Sequence, residues 1–424
     1  MKLKKVMAAV LTGLMVFSMA ACGDSGKSTK EDTITIMVPP VTGTYVEDLQ
    51  GWIEEYRKDH PNITVEVIAT SWDEHTNKLS TMALAGEAPD IAEVSYGAVG
   101  TYVEMGVGVN IADYMSKERL ADYDQNALDY MTMDNTLYGL PLYITIQALG
   151  GNREMLEAAG ADVQKIQTQG WTYEEFLEII KNGTKEGCFG FVFANSGATT
   201  ADFVSIFGVA AGISSNFTQD LKYVYTSENM LSLLQAVETM TSSGYMPNYS
   251  VEAGQRLVML ETGQTMLTGK AMPLFESNVK KNIAGKADGS AVEGTIDMEY
   301  VFLPVPTMSN ATESVYGVVD GLIALRNNNT TEEHLKNVCE FMDFLSSGER
   351  AAAVERAITK VIAPPAGITA EMNANAKTMM DETIVPKFQA LLAGETTAQE
   401  VYDAICKDAK NLFGEENCAS GWIQ

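Results

Sequence analysis

Histidine, cationic charge and long apolar runs are what this chain has least of, and each shortage excludes something. Only His60, His75 and His334 occur, no two at the spacing of a metal pair, and no HExxH is present. No metal or other cofactor is therefore expected. Lysine and arginine number 29 against 56 acids, a net charge of −27, which argues against nucleic acid as a partner. Beyond residue 32 no apolar run approaches the roughly 20 residues of a membrane span. Gly26-Lys27-Ser28 echoes the end of a phosphate loop, but the first glycine of that pattern would fall at position 21, which is alanine. Gly23-Asp24-Ser25-Gly26 imitates a hydrolase nucleophile turn, yet its surroundings are polar and could hold neither a base nor oxyanion donors. Paired carboxylates for glycoside hydrolysis are invisible in sequence, so a secreted carbohydrate-active hydrolase stays open as the rival reading.

What is present begins at the amino terminus. Lys2, Lys4 and Lys5 precede the apolar stretch from Val6 to Met19, which ends in Ala20-Ala21-Cys22. That is the three-part layout of a secretory signal, covering residues 1–21. Met19-Ala20-Ala21-Cys22 resembles the bacterial lipobox, in which small residues admit a signal peptidase and the cysteine sulfur receives diacylglycerol. Cys22 is thus the expected lipidation site, and residues 22–32, polar with Gly and Ser, read as a flexible tether. The signal carries three lysines and no acid, so the mature chain holds 26 bases and 56 acids, net −30. The expected location is extracytoplasmic, lipid-anchored to the cell membrane. Cys188, Cys339, Cys406 and Cys418 remain; Cys406 and Cys418 could pair in an exported protein, but no spacing matches a metal site.

The mature chain, on the order of 390 residues, exceeds one ordinary core, so two lobes are expected. Thr33 to Val38 alternates as a strand; Val46, Leu49, Trp52, Ile53 and Tyr56 follow at helical spacing until His60-Pro61; Ile63 to Ile68 is a second strand. This β-α-β opening implies a parallel sheet and an α/β class. Leu79, Met82, Ala83 and Leu84 suggest a further helix, and Pro89-Asp90-Ile91 starts a third strand, with Asp90 read as a structural turn residue. Thr172 with Glu175, Thr330 with Glu333, and Thr397 with Glu400 predict capping boxes. Trp52 and Trp171 sit at helical or capping positions and read as core.

The order of several segments is similar to the maltose-binding-protein-like cluster of sugar-type solute-binding proteins that serve ABC importers. Its carriers are the strand Ile34–Val38, DHPNITVEVI, LAGEAPDIAEVSYG, LYGLPLYITIQALGGNREMLEAAG, WTYEEFLEII, TGKAMPLFESN, FLPVPTM, VYGVVDGLIAL and EFMDFLSSGERA. The resemblance implies a two-lobed periplasmic-binding-protein-like fold, with crossing hinge strands and a ligand cleft between the lobes. Lobe one would hold residues 33–145 and 322–365, lobe two 146–321 and 366–424. Crossings would lie near Ile144–Leu149, Val318–Leu322 and Ala363–Gly367. The implied function is capture of a small polar solute, a mono- or oligosaccharide, and its delivery to ABC permease subunits by a monomer without catalysis.

Sugar sites combine aromatic faces with carboxylates, amides and hydroxyls. In the loops where the family places ligand contacts, this chain offers Thr42 and Tyr45, then Trp72 and Asp73, then Glu93 and Tyr96, then Tyr143. The second lobe offers Asn195, Asp202 and Phe203, and the last crossing Asp320. The expected ligand contacts are Tyr45, Trp72, Tyr96, Tyr143, Asn195, Asp202, Glu276, Asn278 and Asp320. The family's tryptophan after the glycine-lysine segment is absent, and Glu276 and Asn278 stand there instead. The acids among these positions suit a heavily hydroxylated solute or a cationic one, an amino sugar or a polyamine.

Overall fold

The computed structural model describes residues 31–196, 199–309, 311, 316–347 and 364–423. The signal, Cys22, the first nine residues of the tether and the leading residue of the third crossing lie outside them. Among the described residues, no helix is long and apolar enough to cross a membrane.

The alternating β1 (Asp32–Val38) buries Ile34 and Ile36 and pairs in parallel with β2 (Ile63–Ala69), and then with β3 (Ile91–Ser95) on its other side. Helix α1 (Tyr45–Asp59) joins the first two strands; Glu47 and Asp48 open it and Arg57 and Lys58 close it, complementing its dipole. Helix α2 (Trp72–Ala85) is capped by the Ser71 hydroxyl and stopped by Gly86 in the left-handed region. Helix α3 (Tyr96–Glu104) follows β3 directly.

After the small hairpin of β4 (Thr132–Met133) and β5 (Thr136–Leu137) comes the longest strand, β6 (Gly139–Asn152). Its first part pairs antiparallel with β9 (Tyr316–Ala324), which lies against β3. Its last part pairs with β7 (Leu267–Ala271) and β8 (Tyr300–Leu303). One strand therefore runs from one half of the seven-stranded sheet to the other, giving the order β2-β1-β3-β9-β6-β7 with β8 also on β6. The crossing pair is tight: a Cβ on Gly139 would stand 2.4 Å from the Leu322 carbonyl oxygen, and one on Gly321 2.5 Å from that of Leu140.

One apolar cluster joins Ile34, Ile36, Leu49 and Leu322 to Phe341, Met342 and Leu345 of the helix Glu332–Leu345. A larger one runs from Leu79 and Val99 through Phe176, Phe191, Phe203 and Phe207 to Phe388 and Val401. Each such fully buried side chain contributes about 2 kcal/mol against exposure. The helix Ala370–Thr378 lies on α3, where Asn373 accepts from the Gly100 amide at 3.0 Å and donates to the Tyr96 carbonyl.

Capping boxes stand at Thr172/Glu175 and Thr397/Glu400. The expected box at Thr330/Glu333 is corrected: the cap is Thr331, which accepts from the His334 amide, while the Thr330 hydroxyl accepts from the Asn327 amide. His334 decides this register, because its ring reaches Asp32 at 2.8 Å and Asp90 at 2.9 Å. Cys406 and Cys418 are free thiols. Trp171 is buried and donates to the Pro304 carbonyl at 2.8 Å; Trp52 packs edge-on against Tyr45.

Candidate functional site

Parallel strands aim their carboxyl ends at one edge, where loops and helix starts supply polar groups. There, Tyr45 opens α1, Glu93 is the middle residue of β3, and Tyr143 and Asp320 face each other across β6 and β9. Asp320 also faces Ser95 on β3. The Tyr143 hydroxyl donates to Glu93 Oε1 at 2.8 Å, and the Tyr45 phenol lies close enough to act on this carboxyl. Burial, then the charge of Asp320, pushes the Glu93 pKa up to about 8, although the two phenols work the other way. Burial foremost, with the neighbouring acids, raises both phenols well above their ordinary range. His75 packs behind, its Nε2 2.7 Å from the Glu93 carbonyl oxygen and its Nδ1 2.8 Å from the Thr70 hydroxyl. Burial lowers its pKa.

A second polar group sits on β7 and the helix Thr199–Ala210. Asp202 is ion-paired with Lys270, a non-glycine residue held at φ 55°. Beneath them Arg256 is fully buried, donating to the Gly269 carbonyl at 2.7 Å, with its guanidinium 4.7 Å from the Phe275 ring. Burial lowers its pKa to about 10, against the charge of Asp202. Tyr316 on β9 links the two groups: burial raises its pKa, and the charges of both Asp202 and Asp320 act in the same direction.

Tyr45, Tyr143 and Asp320 thus meet around Glu93, and the charges of Asp202 and Asp320 both act on Tyr316. Glu276 pairs with Lys280 one turn along its own helix and acts electrostatically on Tyr300, a neighbour of Arg256. Trp72 begins α2, half exposed, its indole donating to the Pro40 carbonyl at 3.1 Å. Tyr96 begins α3 and meets Tyr130 edge-on at 4.9 Å. Asn195 is buried and used by the backbone, accepting from the Val251 amide at 2.6 Å and donating to the Tyr249 carbonyl. Asn278 is exposed on the helix Pro273–Ala284. Phe203, weighed as a contact, is core: it stacks on Phe193 with centroids 4.3 Å apart.

Lys270, Arg256 and Tyr316 escaped the sequence reading. Lys270 lies inside TGKAMPLFESN, and its partner Asp202 is 68 positions away, a pairing that spacing cannot reveal. A cavity of about 550 Å³ lies elsewhere, between Tyr114–Asp122 and the helix Glu332–Leu345. It holds none of these residues, and its Arg119 is already paired with Asp122 and Asp343. Among the described residues, no group of His, Cys, Asp and Glu could hold a metal ion.

The family of bacterial extracellular solute-binding proteins matches residues 51–381. The maltodextrin-binding protein MdxE of Bacillus subtilis is 23% identical over 216 residues, 47% of this chain and 51% of that one. The ABC substrate-binding protein Lmo0181 of Listeria monocytogenes, solved with cycloalternan, superposes with a TM-score of 0.67 at 17% identity, covering 90% of this chain and 99% of that one. Maltose-bound MalE3 of T. maritima gives 0.68 at 18% identity, covering 90% and 100%. The fold is the two-lobed periplasmic-binding-protein-like one, with crossing strands between the lobes.

Proposed function

Because the chain belongs to the bacterial extracellular solute-binding proteins, we propose that it captures a mono- or oligosaccharide between its lobes and delivers it to ABC permease subunits. Cys22 anchors it to the cell membrane by lipid, and it performs no catalysis. Lobe one comprises residues 33–145 and 322–365, lobe two 146–321 and 366–424. The observation that carries the reading is the meeting of Tyr45, Tyr143 and Asp320 at the crossing strands, with Asp202 on the other half of the sheet close enough for both acids to act on Tyr316. Phenol faces cover the C–H patches of a pyranose, and the acids accept from its hydroxyls. Trp72 and Tyr96, at the starts of α2 and α3, and Glu276 and Asn278 beyond β7 supply outer contacts. Asn195 holds the backbone at Val251 ahead of the helix that carries Asp202. Contact with both lobes favours the closed arrangement by the differential affinity of the solute for it. The known sugar ligands of the similar proteins support a sugar over a polyamine.

The test is a thermal-shift screen of the mature chain against neutral glycans, amino sugars and polyamines. A binder gains stability as the ligand saturates it. Stabilisation by polyamines alone overturns the sugar reading, and multiple-turnover release of product overturns the non-catalytic one. For the anchor, Cys22→Ala releases the protein from membranes; unchanged attachment refutes the lipid.

A further inference from the structure

Strand β7 is irregular at one point. Its register with β6 shifts between the pairs Gly150–Thr268 and Ala148–Ala271, so that Gly269 and Lys270 together oppose the single residue Leu149. Bulges of this kind re-aim a side chain, and a left-handed residue within one is ordinarily glycine. Here it is Lys270, at φ 55°, although a glycine stands directly before it. A side chain kept at a strained backbone position points to a use for it. Gly269 is fixed from three sides. Its amide donates to the Val192 carbonyl at 3.1 Å, its carbonyl accepts from the buried Arg256 at 2.7 Å, and a Cβ on it would stand 2.0 Å from the Phe193 ring. Phe193 stacks on Phe203, the residue after Asp202, and so sets the helix Thr199–Ala210 against the bulge. Lys270 Nζ meets Asp202 Oδ2 there, the two side chains 21% and 23% exposed.

We propose that Lys270 is a positioning residue of the solute site: the bulge aims its ammonium at Asp202, and the pair holds the Asp202 carboxylate in the orientation in which it accepts from a solute hydroxyl. The inference rests on the reading of Asp202 as a solute contact. An aspartate on a helix turns about two side-chain torsions, and ordering it at the moment of binding lowers affinity. An ammonium already seated on Oδ2 fixes the carboxylate plane before the solute arrives, and Oδ1 then points in a set direction. The mount is rigid, because Val192, Arg256 and Phe193 hold the backbone at Gly269. Lys270 therefore serves affinity more than the fold, since a partly open ion pair contributes little to stability.

The test uses the mature chain, maltotriose as probe, calorimetric titration and thermal unfolding. Lys270→Met keeps the length of the stem and removes the charge. Its affinity should fall about tenfold, while its thermal midpoint stays within about 3 °C of wild type. Lys270→Arg, which restores the cation, should bind within about threefold of wild type. A midpoint lowered by more than about 6 °C in Lys270→Met, or failure of that variant to fold, makes Lys270 a structural tie and overturns the proposal. So does a Lys270→Met protein that binds like wild type while Asp202→Asn binds weakly. A second arm needs no ligand: in a crystal structure of Lys270→Met the Asp202 carboxylate should have turned from its wild-type orientation, and in Lys270→Arg it should not. An unmoved Asp202 in Lys270→Met overturns the proposal whatever the probe does. If Asp202→Asn also binds like wild type, or no glycan of the panel binds any of these proteins, the solute reading falls, and the orientation of Asp202 in Lys270→Met decides the positioning role.

Discussion

Asp90 and Glu93 stand three residues apart, one just before β3 and the other in its middle, and the fold treats the two acids in contrary ways. At the amino end, burial works against ionisation of Asp90, but the His334 ring, then the Thr35 amide and hydroxyl, outweigh it and hold its pKa below the usual value. Asn327 donates to it as well, at 3.1 Å. His334 in turn bridges Asp90 and Asp32, which also accepts from Asn337 at 2.7 Å. In the middle of the strand Glu93 meets phenols and another acid, and burial foremost raises its pKa. A saturated ion cluster locks β1, β3 and the helix Glu332–Leu345 together. Glu93 is the acid that faces the crossing strands, where a solute can complete the polar groups.

The largest effect should come from emptying the saturated end. Asp90→Ala leaves a buried imidazolium half-paired and strands Thr35 and Asn327, so a loss of about 3–5 kcal/mol is expected in urea unfolding. Protein that remains folded should keep its solute affinity, because this cluster lies at the amino end of β3 and, among the described residues, shares no hydrogen-bond partner with Tyr143 or Glu93. A stability loss below about 1 kcal/mol would show that the cluster behaves as a surface pair.

His334→Gln sharpens the comparison through pH. The hydrogen bond to Asp90 first, against burial and aided by Asp32, raises the His334 pKa from 6.5 to about 9. A raised cationic group stabilises fully below its unfolded pKa and ceases to do so as pH climbs through its folded one. The gap between wild type and His334→Gln should therefore be about 2–3 kcal/mol near pH 6 and close by about pH 10. Glu93, also raised, weakens the fold as pH rises from 4.5 through about 8, but it does so in both proteins and cancels from the gap. A gap constant across the range would mean that His334 acts by packing rather than by charge.

Local signals made much of the fold legible. The β-α-β opening follows from alternation at Thr33–Val38, helical spacing to Tyr56 and the stop at His60-Pro61. Two capping boxes stand where the Thr-x-x-Glu spacing put them. The third slipped by one because two threonines were adjacent and a contact from His334 to Asp32, 302 positions away, chose between them. The candidate site was less legible for the same reason. Glu93 and Asp320 each look like an ordinary polar residue, and only the pairing of β3 with β9 puts them together. Asn195 carries the right chemistry for a sugar, yet its amide staples the backbone around Val251, a use that composition does not distinguish from ligand binding.

The smallest effect on stability, and the sharpest on function, should come from the other half of the sheet. The Asp202–Lys270 pair is partly open, each side chain retaining about a fifth of its exposure, so solvent screens it as it does not screen His334. Asp202→Asn should cost under about 1 kcal/mol in urea unfolding. If Asp202 accepts from a solute hydroxyl, the same change should lower maltotriose affinity about tenfold, the equivalent of one charge-assisted hydrogen bond. Lys270, released from its partner, would then stand free beside the site. Asp90→Ala and Asp202→Asn should consequently show inverse profiles, the first unstable but competent to bind, the second stable but weak. An Asp202→Asn protein that binds maltotriose like wild type would move the site off Asp202 and confine the solute contacts to Tyr45, Tyr143 and Asp320.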